Sequence, residues 1–289
     1  MSNLDAKIKY LLSWSHIPLP IMENLDYYIN LLDKYYNIKP LIQLITDDIT
    51  TFGSIAKLKE HTNQLSQIII DNIKSKPAYE DFIKYKKTIP KSANIGKLYH
   101  EDNNFKLFIS IDIKTANFTL ARQFDPEIFD GSPTWSEYIS KFSTSSFLKQ
   151  SKPFREIIFG KLFGNFDTIC SDTISKIIPE ISSEYHLTHK SHDEAIYQID
   201  EESLYQKLND FISKKYPNIF HIRMFRLVRL GKKPYYIKQF STGAVEFKCV
   251  PKKLICQCIR YYQTEPPEIH DLKFIDDDMV ATYDHPIIF

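Results

Sequence analysis

The stretch Lys106-Leu-Phe-Ile-Ser-Ile-Asp-Ile113 decides the architecture. It is short, rich in β-branched and aromatic residues, and bounded by polar residues, which is the pattern of a strand. Near its end stands Asp112. A carboxylate there is held rigidly while its head reaches a cleft, as a divalent-metal site for phosphoryl transfer requires. Taken alone, Asp112 reads more simply as a strand-end residue capping the next turn. Downstream, Asn117 to Phe124 forms a short amphipathic stretch, and a loop with Gly131 and Pro133 follows. Helical segments are expected from Trp135 through Phe163 and from Asp167 to about Ile178, where Pro179 ends or kinks the helix. Ser191 to Ile199 reads as a turn into a strand, and 202–215 as a helix. Residues 219–250 read as a β-hairpin around Gly231-Lys-Lys-Pro234 with a further strand. Upstream, residues 1–100 read as helical: Leu25, Tyr28, Ile29, Leu31, Leu32 and Tyr35 keep helical spacing, as do Leu65, Ile68, Ile69 and Ile73. An α+β chain is therefore expected.

Composition narrows the classes. The chain has 289 residues, 43% hydrophobic and 25% charged, enough for a real core and too apolar for global disorder. Lys and Arg total 37 against 36 Asp and Glu, so a polyanion partner must be met by local segregation of charge. The 4 cysteines form no disulfide framework, which favours a reducing intracellular compartment: cytoplasm, nucleus or a viral factory. Cys249, Cys256 and Cys258, with His221 upstream, lack a strong zinc spacing and read as ordinary buried thiols. Asp5, Lys7 and Lys9 interrupt the N-terminal apolar stretch, so no signal peptide is expected. No apolar run approaches the roughly 20 residues of a membrane span. Scarce Gly with abundant Ile, Lys, Asn and Tyr suggests an AT-rich genome, such as that of a large DNA virus.

Two further elements carry chemistry. His192-Asp193-Glu194 places adjacent carboxylates on a tight turn at a strand edge, where one head can face a metal; a solvated acidic turn is the simpler reading in isolation. Between it and Asp112 lie Lys149, Lys152, Arg155 and Lys161. Arg155, Phe159 and Phe163 are four residues apart and share one helical face. A cation and two aromatics there could hold a triphosphate and stack on a base. Spacing alone equally fits an amphipathic helix whose aromatics fill a core.

The order of these elements resembles that of the family A DNA polymerases over about residues 105–200. Asp112 matches motif A. Arg155-x-x-x-Phe159-Gly160-x-x-Phe163-Gly164 matches motif B, about 43 residues on, and His192-Asp193-Glu194-Ala-Ile-Tyr197 matches motif C. The resemblance implies a helical N-terminal region (1–100), a palm and fingers-like catalytic core with an antiparallel sheet (101–205), and a C-terminal basic hairpin region completing the palm (206–289). It implies that Asp112 and Asp193 hold two Mg²⁺ (or Mn²⁺) about 3.5–4 Å apart for attack of a primer 3′-hydroxyl on a nucleoside triphosphate. Glu194 would support the metal site and His192 would sit near the primer terminus. Arg155 would replace a phosphate-binding lysine, a fork for a point charge. Phe159 would pack by the sugar and Phe163 would stack at the templating position. The family's Glu five residues after the motif A Asp is Asn117 here, which leaves sugar selectivity open. Its Arg before the lysine is Ser151, with Lys152 adjacent. The interval from motif B to motif C is short, no template-and-primer motif precedes Asp112, and no proofreading exonuclease fits.

A nucleic-acid footprint is expected further on. From Phe211 to Val245 there are eight basic residues and no acidic one: Lys214, Lys215, Arg223, Arg226, Arg229, Lys232, Lys233 and Lys238. Tyr216, Phe220, Phe225, Tyr235 and Tyr236 interleave, as a strand-binding surface requires. His186, His189 and His192 are three apart but do not form a metal trio: with His192 beginning a strand they share no helix face, and a solvated loop explains the first two. The sequence thus points to a minimal DNA polymerase acting on a primer-template or single strand. An RNA-synthesising, primase-like enzyme and an inactive palm-derived binding subunit are the alternatives.

Overall fold

The computed structural model describes residues 3–287, apart from Lys91, Asn165 and Ser182. The N-terminal region is helical as expected: α1 (Asn3–Ser13), α2 (Leu25–Tyr36), α3 (Ile38–Phe52), α4 (Ile55–Lys74) and α5 (Pro77–Lys86). In α2 the buried residues are Leu25, Tyr28, Ile29 and Leu32, the stripe that 3.6-residue periodicity dictates. Then come β1 (Leu107–Ile113), α6 (Ala116–Phe124), α7 (Trp135–Ser140), α8 (Ser146–Gln150), α9 (Lys152–Phe163) and α10 (Asp167–Ile177). The chain continues through β2 (His186–Lys190), β3 (Glu194–Ile199), α11 (Ser203–Lys215), β4 (Phe220–Arg229), β5 (Tyr236–Phe240) and β6 (Val245–Lys248). It ends in α12 (Ile255–Tyr262), β7 (Lys273–Asp276) and β8 (Met279–Thr282). The class is α+β. One sheet has the order β2-β3-β1-β4-β5-β6, and β7 and β8 form a separate hairpin.

The described chain divides into two compact units, each drawn from separate stretches of the sequence. One gathers the segment up to Leu58, Tyr99–Phe105 and everything from Arg226 onward; the other joins Lys59–Leu98 to Lys106–Phe225. Strand pairing and backbone hydrogen bonds between remote segments bring these stretches together. In the first unit Phe105 N donates to Leu227 O, and the hairpin turn closes through Leu230 N to Tyr235 O at 2.8 Å. Leu230, Ile237, Leu254 and Cys258 form a small core there. Arg260 ties the same unit together, donating to Asp271, Glu268 and the Tyr27 hydroxyl.

In the second unit the order of elements is β1, helices α6–α10, β2, β3, α11, β4, and its strands lie β2-β3-β1-β4. This is the split βαβ arrangement, β-α-β-β-α-β. β1 is central, and Phe108, Ile109, Ser110, Ile111 and Ile113 are all buried, so it reads as a continuous apolar run rather than an alternation. It pairs antiparallel with β3 in a register that sets Ser110 opposite Ile196 and Asp112 opposite Glu194. β2 was not foreseen. His186 and His189 lie on this strand, not in a loop, and His189 Nδ1 is 3.2 Å from Gly96 O. The strand escapes a pattern search because it ends in a buried charge. Lys190 is 1% exposed, and its ammonium donates to Ser92 Oγ (2.7 Å), Ala93 O (3.1 Å) and Ser171 Oγ (2.8 Å). Burial lowers its pKa. Ile95 and Lys190 exchange backbone hydrogen bonds, so residues 92–96 strap the outer edge of β2.

Candidate active site

Two loops bring the acidic residues together. β1 ends at Ile113, and the chain turns through Thr115 at φ 46° before entering α6. A β-branched residue in left-handed backbone is strained, and such strain persists where the surroundings hold it in place. Here Thr119 N donates to Thr115 O, and the Thr119 hydroxyl donates to Lys114 O. Across the sheet, β2 and β3 are joined by the turn Ser191-His192-Asp193. Ile113 N donates to Asp193 O at 3.1 Å, which fixes that turn against the end of β1. In a regular ladder Glu194 would share a face with Asp112, because the two are directly opposed. The turn breaks the alternation at Asp193, and it is Asp193 that shares a cleft with Asp112.

That cleft has a volume of about 250 Å³ and is lined by Asp112, Thr115, Asn117, Lys152, Arg155, Glu156 and Asp193, among others. Ser151 caps α9 by accepting from Phe154 N at 3.2 Å, so the positive end of the helix and its first turn form the basic wall. Lys152 is exposed and lies 3.6 Å from Glu156. Arg155 is half-buried, and burial lowers its pKa. Its guanidinium makes no hydrogen bond or ion pair among the described residues. Neighbouring Glu156 attracts it, but a partly desolvated cation without a hydrogen-bonded partner is costly unless an anion completes it. Beneath the acids lies the Cys170 thiol. Its pKa is pushed up to about 12, first by burial and then by Asp193, Asp167 and Asp112. Asp167, at the start of α10, is thus a third carboxylate in this neighbourhood, 3.8 Å from His192 Nε2. Sequence reading located the helix that begins at Asp167 but gave no signal that its first residue faces the Ser191-His192-Asp193 turn.

The remaining predicted residues fall elsewhere. Phe159 and Phe163 are 1% and 4% exposed and do not line the cleft. Phe159 packs on Trp135 and Phe129, and Phe163 on Phe82, Phe166 and Tyr79. The structure gives them the core role, with no surface for a sugar or a base. Gly160 has open space where a Cβ would stand. Glu194 lies on β3, next to the cleft rather than lining it. Among the basic residues, Arg223 is half-buried on β4 of the second unit, and Lys238 is buried. In the first unit Arg226 donates to Phe105 O, and Arg229 pairs with Glu101 while donating to the carbonyls of Lys232 and Lys233. Those two arginines serve the fold. Lys232 and Lys233 are exposed at the hairpin turn.

A divalent cation suits this donor set. Mg²⁺ is commonly held by one or two carboxylates, with waters and substrate phosphates completing its shell. Asp112 and Asp193 supply that number, and among the described residues no group of three or more His, Cys, Asp or Glu side chains is gathered for a metal. No known family model, curated protein or solved structure matches the chain. No helix among the described residues is long and apolar enough to cross a membrane.

Proposed function

We propose that the chain is a nucleotidyltransferase that extends a nucleic-acid strand, a minimal polymerase of palm type resembling the family A enzymes. The observation that carries the reading is the half-buried guanidinium of Arg155, with no hydrogen bond to its side chain among the described residues, in one cleft with the Asp112 and Asp193 carboxylates. A triphosphate satisfies both sides: its oxygens complete Arg155 and Lys152, and a cation shared with the carboxylates neutralises the rest. Mg²⁺ or Mn²⁺, when bound, supplies Lewis-acid activation of the α-phosphate and of the attacking hydroxyl. Asp112 stands on the central strand, and the hydrogen bond from Ile113 N to Asp193 O holds the backbone of Asp193 beside it. Arg155 offers a planar fork to two phosphate oxygens, and its desolvation strengthens that contact. Asn117, the second residue of α6, lines the cleft where the family's sugar-selecting Glu would stand. With a carboxamide there, ribonucleotides and deoxyribonucleotides are both candidate substrates.

Primer extension by the purified chain with Mg²⁺ or Mn²⁺, and separately with dNTPs and NTPs, tests the proposal. Extension lost in Asp112→Asn/Asp193→Asn supports it, and the nucleotide consumed distinguishes DNA from RNA synthesis. The burial of Phe159 and Phe163, which removes two of the family's nucleotide contacts, favours a second reading: a palm-derived nucleic-acid-binding subunit without catalysis. Retained strand binding with no extension under any of these conditions would establish it.

A further inference from the structure

A second cleft in the same unit, of about 320 Å³, opens between α5, α6, α10 and the start of β4. Its size falls at the lower end of small-molecule sites, which run from about 300 to 1,000 Å³. Five aromatic rings line it: Phe82, Tyr85, Phe124, Tyr216 and Phe220. Tyr85 and Phe124 are stacked, with centroids 5.1 Å apart and planes at 25°. They are 38% and 40% exposed, whereas Phe82, which packs edge-on against Phe124, is fully buried. The core thus ends at Phe82, and the outer pair presents flat apolar surface to solvent. An exposed, pre-stacked pair of this kind is a platform for a third planar ring.

The polar groups at the rim limit what that ring can be. The Gln123 carboxamide is exposed and has no hydrogen-bond partner among the described residues. A carboxamide donates and accepts side by side, which complements the N6 donor and adjacent ring-nitrogen acceptor of adenine and equally the N4 and N3 pair of cytosine; the larger two-ring face of adenine covers more of the aromatic pair. Lys176 stands at the same rim, its ammonium 2.6 Å from Asp172 and its side chain mostly exposed. It offers one cation to a phosphate. An aliphatic lipid chain or a leucine side chain would leave Gln123 unused.

We propose that this cleft binds an adenine base, with Tyr85 and Phe124 stacking on the ring, Gln123 reading its edge and Lys176 meeting its phosphate. The base belongs either to a free adenine nucleotide or to a single strand crossing the unit. The second source is sterically reasonable, because α6 runs from Asn117 on the acidic cleft to Phe124 here, roughly 10 Å along its axis. The proposal does not depend on catalysis at the acidic cleft.

Isothermal titration of the full chain with dAMP, dCMP and a deoxyadenylate hexamer, all in excess chelator, tests it. Saturable dAMP binding at least fivefold tighter than dCMP is expected. Tyr85→Leu should weaken it roughly 5- to 100-fold, the usual weight of one base-aromatic stack, whereas Tyr85→Trp should retain it. Gln123→Leu, an exposed change with no fold partner, should weaken dAMP binding severalfold. Asp112→Asn/Asp193→Asn should bind dAMP as the parent does, so failure of the polymerase reading leaves this result standing. A hexamer binding much more tightly than dAMP marks a strand as the source; equal affinities mark a free nucleotide. Absence of saturation with both probes, or Tyr85→Leu and Gln123→Leu binding like the parent, would overturn the proposal.

Discussion

Phe159→Ala separates the two roles open to the α9 aromatics Phe159 and Phe163. The ring is 1% exposed, lies 5.3 Å from Trp135 and 5.9 Å from Phe129, and stacks on Phe163 at 5.4 Å and 24°. Truncating such a ring costs the transfer energy of the lost atoms plus a cavity term, about 3–5 kcal/mol. In a cooperative unit of this size each kcal/mol moves Tm by about 2–4 °C, so a drop of about 6–20 °C is expected. Differential scanning calorimetry reads it directly. Phe159→Leu refills part of the volume and should fall between parent and Ala. A double-mutant cycle with Phe163→Leu should return a coupling of about 0.5–1.5 kcal/mol for the stacked pair. A Phe159→Ala protein that melts within about 2 °C of the parent, yet loses affinity for nucleoside triphosphate, would refute the core assignment. It would mean that the ring turns outward when substrate binds.

Arg155→Met should raise Tm, because a half-buried unpaired cation is replaced by an apolar chain; about 1 kcal/mol is expected, with triphosphate affinity lost in the same protein. Gly160→Ala should also stabilise, by about 0.5–1 kcal/mol, since the position is helical and its Cβ would meet open space. At pH 8 a thiol reagent should modify Cys249 and leave Cys170, Cys256 and Cys258 untouched until unfolding releases all 4. Burial pushes the Cys258 thiol up to about 12 and raises Cys256 as well. Lys190→Met should change the pH profile of stability. Burial lowers the folded-state pKa of Lys190, so between that value and 10.5 the unfolded chain binds more proton and the parent gains stability as pH rises. Urea unfolding at pH 7 and pH 10 should therefore show the difference between parent and variant shifting in favour of the parent at the higher pH.

How far these features were legible in the sequence depends on how local their causes are. Asp112 and His192-Asp193 could be placed because each is announced by its neighbours, an apolar strand before one and a turn into a strand after the other. The spacing of Arg155, Phe159 and Phe163 correctly put them on a helix, but i, i+4 spacing says only that side chains share a face. Which part of that face turns inward is set by Phe129, Trp135 and Phe82, residues far along the chain, and they claim the two rings while leaving Arg155 at the cleft. β2 was missed for the same reason. Lys190 looks like a surface residue until Ser92, 98 residues away, and Ser171 supply its acceptors. The basic run from Phe211 to Val245 was real as a count but overstated as a surface, since Arg229 finds Glu101 at a separation of 128 residues. Charge segregation along a sequence bounds the surface potential from above, because folding can pair a charge with any part of the chain. An unpaired cation that survives folding is therefore stronger evidence of an anionic ligand than a basic run, and among the basic residues near the two carboxylates it is Arg155 that meets this condition.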